Sequence, residues 1–360
     1  MRTFLSIAIV ALAGCSISSR SSVLPASTPD SAHVRAPYVY IAGYDVNGKG
    51  TYGQVSVYAP LATTPLRVLK RGIPYPVRMA VDASHTLYVL NRMGGRYGEG
   101  VIDVIPPGAT SPSRVFSQPQ GYGAAYDLAF DKPGNLYVAN TQPNAGNVAV
   151  YAAGTLKLLR TITKGVNYPV RLALDSSDNL YVSNYEAPSV TVYASGSTKV
   201  LRTIRFSFAK QQQPYGLAFD AAGNLYVCNH PPSNNVSGSV LEYKAGTATL
   251  LRTITNGINA PADLLFDASG YLYVLNFGTV ASPGSVSEYA PRSSTAAVSV
   301  CCALTRAMAV DSSSRLYVLV YTGSYSPGSL SVFAPHSAKV ERTFTSGILS
   351  EPLALALSGV

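Results

Sequence analysis

The stretch Pro214-Tyr215-Gly216-Leu217-Ala218-Phe219-Asp220-Ala221-Ala222-Gly223-Asn224-Leu225-Tyr226-Val227 holds two short apolar runs around a tight polar turn. Runs of this length are strand-sized, and a Gly-Asn turn between them marks a β-hairpin. The pattern repeats along the chain. Leu-Tyr-Val stands at Leu87-Tyr88-Val89, Leu136-Tyr137-Val138, Leu180-Tyr181-Val182, Leu225-Tyr226-Val227, Leu272-Tyr273-Val274 and Leu316-Tyr317-Val318, with a looser copy at Val39-Tyr40-Ile41. Successive intervals are 48, 49, 44, 45, 47 and 44 residues. A period of ~40–50 residues is that of a four-stranded propeller blade. Such a unit cannot bury both of its faces alone and must stack radially with its neighbours.

Two further strands complete each unit. A third alternates apolar residues, as in Val190-Thr191-Val192-Tyr193, and a fourth reads Leu-Arg-Thr-Ile at Leu159–Ile162, Leu201–Ile204 and Leu251–Ile254. No segment keeps a 3.6-residue apolar period long enough for a substantial helix. The first repeat begins at its second strand, near Tyr38, whereas the chain finishes on Pro352-Leu353-Ala354-Leu355-Ala356-Leu357, which matches innermost strands such as Pro76–Val81. The last segment is therefore expected to complete the first blade. The sequence predicts an all-β, seven-bladed propeller of four-stranded antiparallel blades, closed by the C-terminal strand. The arginines of the fourth strands (Arg67, Arg114, Arg160, Arg202, Arg252, Arg342) are read as edge charges that discourage edge-to-edge pairing rather than as a basic binding band.

The Pro214–Val227 stretch resembles an NHL-type propeller repeat, within a broader group that includes YVTN-type repeats and the sugar-lactone hydrolases. The likeness runs from Tyr38 to Val360 and implies the fold. It implies little about activity, because propellers host unrelated functions. Many NHL repeats place Asp two residues after the Tyr-Val pair; this chain has Asn91, Asn140, Asn184, Asn229 and Asn276 there.

Composition fits a packed fold. Of 360 residues, 47% are hydrophobic and only 12% charged, with 25 Tyr, which excludes a disordered chain. Thirty Gly and 24 Pro require frequent turns, and four Cys are too few for a disulfide scaffold. The N-terminus reads as an address. Arg2 precedes an apolar stretch from Phe4 to Gly14 that is too short to span a bilayer, which needs ~20 residues. Its ending, Leu12-Ala13-Gly14-Cys15, resembles a bacterial lipobox, which implies cleavage before Cys15 and lipid attachment there. An ordinary signal peptide is the alternative. Residues 16–36 are Ser-rich without periodicity, a flexible tether. The expected organisation is a signal peptide over 1–14, a tether over 15–36 and a propeller over 37–360. The expected location is the bacterial envelope, lipid-anchored at the outer membrane or cell surface.

Candidates for chemistry are few. The four His (His33, His85, His230, His336) fall in the tether and on opposite faces of the disk, so they do not converge on one metal, and neither metal nor cofactor is expected. The recurrent Asp82, Asp131, Asp175, Asp220, Asp267 and Asp311 each open a tight turn, where an Asp side chain caps backbone N–H groups. The residues leading into the innermost strands are more suggestive. Arg78, Asp127 and Arg171 sit in consecutive blades near the axis, with Asp263 further round. They form either an ion network at the channel mouth that binds a polar ligand, or charges that only neutralise one another. Cys228, Cys301 and Cys302 have no evident activating base and read as structural.

The tyrosines distinguish the two faces. Eleven lie outside the strand repeats, in second-to-third loops or in connections that enter an innermost strand, among them Tyr75, Tyr122, Tyr126, Tyr168 and Tyr215. In an up-and-down blade those two loop classes share a face. Aromatic loops on a rigid disk are where a binding surface is expected, and Tyr suits sugar rings or peptides. Asn229 and His230 lie on the same side. The formal charge of +9, or +8 once Arg2 leaves with the signal, is spread around the rim rather than clustered, so no nucleic-acid partner is expected. The reading is a non-catalytic envelope module that binds a glycan, a peptide or another envelope component on the Tyr-rich face around the channel. The alternatives are a lactonase-like hydrolase or lyase acting at the same mouth, and a structural partner in an envelope complex.

Overall fold

Seven four-stranded antiparallel sheets stand around a common axis. The computed structural model describes residues 37–45, 53–92, 99–206, 213–231, 238–278, 283–302, 304–323 and 326–358. The segments read as signal peptide and tether, with Cys15 and His33, and also Arg96, Tyr52, Tyr97 and Tyr325, lie outside the described residues. Blade one orders its strands, from the axis outward, as β28 (Glu351–Leu357), β1 (Val39–Tyr44), β2 (Gly53–Tyr58) and β3 (Arg67–Leu69). The other six run in simple chain order. Blade two is β4 (Pro76–Val81) to β7 (Arg114–Ser117), blade three β8 (Ala124–Phe130) to β11 (Leu158–Ile162), and blade four β12 (Pro169–Leu174) to β15 (Val200–Arg205). Blade five is β16 (Gln213–Phe219) to β19 (Leu250–Ile254), blade six β20 (Pro261–Phe266) to β23 (Val298–Cys302), and blade seven β24 (Leu304–Val310) to β27 (Val340–Phe344). The expected closure is present: β28 pairs with β1, Leu355 opposite Ile41.

The repeat explains the packing. Second and third strands are buried along their length, as in Leu180–Asn184 and Ser189–Tyr193, because both faces meet a neighbouring blade. The Tyr of the Leu-Tyr-Val strand packs edge-on against the Phe that ends the next blade's innermost strand. Tyr88 meets Phe130, Tyr181 meets Phe219 and Tyr226 meets Phe266, each with ring centroids 4.9 Å apart. This edge-to-face geometry is the one aromatic quadrupoles favour.

Both polar series act as local fasteners. Asp175 Oδ1 accepts from the N–H of Ser177 at 2.8 Å and of Asn179 at 3.0 Å, while Oδ2 accepts from Asn179 Nδ2. Asp82, Asp220, Asp267 and Asp311 accept from the N–H groups two and four residues on in the same way, and Asp131 from that of Asn135, four on. Asn179 Oδ1 then accepts from Ser195 N, tying one turn to the adjacent third-to-fourth turn. On the other face, Asn91, Asn184 and Asn276 each accept the N–H of a residue in the connection entering their own blade, and Asn229 accepts that of Gln213, the first residue of β16.

That connection is clasped from the third strand too. Ser56, Thr191 and Ser287 donate to the carbonyls of Gly347, Gly165 and Gly257, and Tyr58, Tyr193 and Tyr289 donate to the carbonyl one residue earlier. These glycines have φ of 76°, 79° and 72°, a left-handed turn that a side chain would strain.

Three of the outer-strand arginines add a role that the sequence reading did not include. Arg160, Arg202 and Arg252 reach inward across the third strand and donate to the hydroxyls of Tyr137, Tyr181 and Tyr226 at 2.9, 2.7 and 3.1 Å. Cross-strand register causes this, since Arg160, Val150 and Tyr137 form one lateral row of the blade. What the edge strands expose is leucine: Leu159, Leu201 and Leu251 are about half exposed.

Candidate functional site

A break in register builds the channel mouth. In every blade the innermost strand carries one extra residue near its start, against its neighbour: at Val77, Tyr126, Val170, Ala262, Arg306 and Leu353, and over Tyr215-Gly216 in blade five. A β-bulge re-aims the side chains beside it. The residues that follow it are Arg78, Asp127, Arg171, Asp263, Ala307 and Ala354, so one irregularity collects the charges at the same height. This is the end of the channel where the aromatic connections arrive.

The structure brings three of these charges together. Arg78 is only 1% exposed; its Nε lies 3.4 Å from Asp127 Oδ1, and its Nη1 lies 3.7 Å from Asp263 Oδ2. Asp127 belongs to the adjacent blade three, whereas Asp263 belongs to blade six on the far side of the ring, so the guanidinium crosses the channel. Each carboxylate also accepts a backbone N–H, Asp127 from Leu172 at 2.8 Å and Asp263 from Leu264 at 3.0 Å. Burial pushes both carboxyls above the usual carboxylate range, against the opposing pull of Arg78 and these N–H groups. Gly216 permits the packing beside Asp263. A Cβ there would stand 2.8 Å from the Asp263 Cα.

Arg171 takes another course. Its Nη1 donates to the Val170 carbonyl at 2.8 Å, and its guanidinium lies 4.8 Å from the centroid of the Tyr215 ring. Tyr215 is itself buried, and its hydroxyl meets that of Tyr126 at 2.8 Å. Because Tyr126 comes from blade three and Tyr215 from blade five, the pair bridges in front of blade four. Burial raises the pKa of both phenols, to about 12 for Tyr215, so both stay protonated.

An aromatic run continues from there. Tyr168, half-buried, lies 6.0 Å from Tyr185, and Tyr185 lies 6.4 Å from Tyr215. The His230 ring follows, 5.4 Å from Tyr215 and 6.3 Å from Phe277, with Nδ1 3.2 Å from the Pro261 carbonyl. Burial lowers the His230 pKa and keeps the imidazole neutral. Two expected residues sit apart from this run. Tyr75 pairs with Tyr44, hydroxyl to hydroxyl at 3.3 Å, and Tyr122 turns outward to bond Thr161 at 2.6 Å. Asn229 spends its polar atoms inside its own blade, accepting from Gln213 N and donating to Ser239 Oγ.

Sequence reasoning passed over Arg306, the bulged residue of blade seven. It lies 4.9 Å from the Tyr321 ring, with Nη2 3.8 Å from Glu351. It also passed over a link on the opposite face. His336 Nδ1 of blade seven stands 2.7 Å from Glu288 Oε1 of blade six, and its ring stacks on Tyr271 at 3.8 Å. In blade five the equivalent Glu242 pairs with Arg252; blade six has Val298 opposite Glu288, and His336 supplies the missing partner. Cys228 is buried and free, against Gly216. Among the described residues no group of three or more His, Cys, Asp or Glu is disposed to hold a metal ion.

Fold and mouth together define a seven-bladed β-propeller with a charged, aromatic rim at one end of its axis. No protein-family model matches the chain, and no curated protein matches it. Solved structures do. The chain is similar to a functionally unknown protein from Desulfotomaculum acetoxidans DSM 771, with a TM-score of 0.66 at 14% identity over 88% of this chain and 98% of that one. It is also similar to Kuenenia stuttgartiensis hydrazine synthase, with a TM-score of 0.50 at 16% identity over 60% of this chain and 66% of that one. At such identities the likeness concerns the fold alone.

Proposed function

We propose that this protein is a non-catalytic binding or scaffold module whose ligand, a glycan, a peptide or another envelope component, docks on the Tyr-rich face around the channel mouth. The observation that carries this reading is a coincidence of place. Buried Arg78, Asp127, Arg171 and Asp263 occupy the same end of the axis as the run Tyr126–Tyr215–Tyr185–Tyr168. Clefts that combine apolar rings with a few fixed polar groups are the usual form of a ligand site. The other face offers short capped turns instead. The NHL-like repeat supports a propeller scaffold on which such loops vary freely, and the lipobox-like ending at Cys15 supports anchoring in a bacterial envelope.

A screen of the protein against immobilised envelope glycans and short peptides tests the reading. Changing half-buried Tyr168 and Tyr185 together to Ala should weaken any ligand found by about tenfold or more, from the loss of two aromatic contacts. Unchanged affinity for every ligand found would defeat it. Anchoring is tested apart from this: labelled palmitate should enter the wild-type chain in a bacterial host and not the Cys15→Ser variant.

A further inference from the structure

Arg171 holds a pair of donors that nothing uses. Its side chain is 2% exposed, and among the described residues its Nε and Nη2 have no hydrogen-bond partner, while Nη1 is taken by the Val170 carbonyl. Nε and Nη2 are the two donors along one edge of the guanidinium plane, spaced to meet the two oxygens of a carboxylate in parallel. In a folded protein that edge is ordinarily occupied, because a buried guanidinium without acceptors has lost its water and gained nothing. Among the described residues no carboxylate fills the role. Asp127 gives one oxygen to Leu172 N and turns the other to Arg78, and Asp263 is divided in the same way between Leu264 N and Arg78. Arg78 Nη1 and Nη2 likewise lack hydrogen-bond partners, at the same level of the channel.

We propose that the free edge of Arg171, in front of blade four and behind the Tyr126–Tyr215 hydroxyl bridge, is a receptor for a ligand carboxylate. This rests on the Tyr-rich face being the binding face and names the chemistry it selects: an acid carried by an acidic sugar or at a peptide's C-terminus. The Arg171 donors have essentially no exposure, so the ligand enters by parting Tyr126 from Tyr215. The rings then flank the acid, and the cation stays stacked on Tyr215. Lysine cannot replace arginine here, since an ammonium presents no planar pair of donors.

The experiment uses the whole protein and matched probes. Calorimetric titrations compare galacturonate with galactose, and N-acetyl-alanyl-alanine with its C-terminal amide, on wild type and on Arg171→Lys. One acid of the two pairs should bind at least about tenfold more tightly than its neutral partner, and Arg171→Lys should remove that preference. Which pair shows it distinguishes sugar from peptide. The inference is overturned if neither acid is preferred by the wild type, a result that needs no variant to fold. It is also overturned if Arg171→Lys, with an unchanged melting temperature, keeps the preference. If ligands bind the face and Tyr168 and Tyr185 matter while acid and neutral probes are equivalent, the binding face stands and the carboxylate receptor falls.

Discussion

The two faces of the disk use polar residues in opposite ways. On the turn face each Asp is bonded to backbone within four residues, as Asp175 is to Ser177 and Asn179. At the channel mouth the polar groups come from different blades, lie 1–2% exposed in Arg78 and Arg171, and leave several atoms without partners. The first arrangement is local, repeated and replaceable one turn at a time. The second is assembled across the ring and is exposed to the full cost of buried charge. Repetition therefore secures stability, and departure from repetition marks the candidate site.

The sharpest way to break this contrast is at Arg78. Arg78→Met leaves Asp127 and Asp263 buried without their shared cation and should cost about 3–5 kcal/mol, measured by urea unfolding at pH 7.5. Adding Asp127→Asn and Asp263→Asn to it should recover much of that loss. A single variant as stable as wild type would show that the mouth is wetter than its burial implies. On the other face, Asp175→Ala removes one cap and should cost only about 1–2 kcal/mol by the same measurement, with ligand binding at the mouth unaffected.

A third test lies within the clasp that holds the incoming connections. Blade two carries Asp103 at the position of Ser56, Thr191 and Ser287, opposite the Val of Leu-Tyr-Val. Asp103 is buried, accepts from Asn91 Nδ2 at 2.6 Å, and has its other oxygen without a partner near Gly72, the counterpart of Gly347, Gly165 and Gly257. Burial pushes its carboxyl up to about 7. Only the protonated acid can donate as the hydroxyls do. Because the folded pKa lies above the unfolded value of about 4, the folded state binds the extra proton. Asp103 therefore stabilises most below about pH 4, and that contribution is lost as pH rises through 7. Asp103→Ser should be more stable than wild type by about 1 kcal/mol or more at pH 8, with the gain shrinking towards pH 5. A gain independent of pH would place the proton elsewhere. The smallest effect belongs to the rim: Leu201→Lys, at a half-exposed edge position, should change stability by less than about 0.5 kcal/mol in thermal unfolding.

Much of the molecule is legible in one dimension. The period of Leu-Tyr-Val, the Gly-Asn turns and the misplaced innermost strand at Pro352–Leu357 imply seven blades and their closure, because each is a local signal repeated. The Asp caps follow from turn chemistry within five residues. The inward bonds of Arg160, Arg202 and Arg252 were not legible, because their partners, Tyr137, Tyr181 and Tyr226, lie two strands away, and cross-strand rows are visible only once register is fixed. The ring of Arg78, Asp127, Arg171 and Asp263 could be aligned by repeat position, yet nothing in the alignment pairs blade two with blade six.

What the chain order decides alone is therefore whatever depends on neighbours in sequence: strand, turn, cap, repeat and count. What only the folded ring decides is which residues face one another across the axis. It joins Arg78 to Asp263, sets the Tyr126 and Tyr215 hydroxyls together in front of blade four, and leaves one edge of Arg171 unsatisfied. The reason is geometric. A bulge of one residue turns a side chain toward the axis, and the circumference of seven blades, rather than any separation along the chain, fixes what it meets.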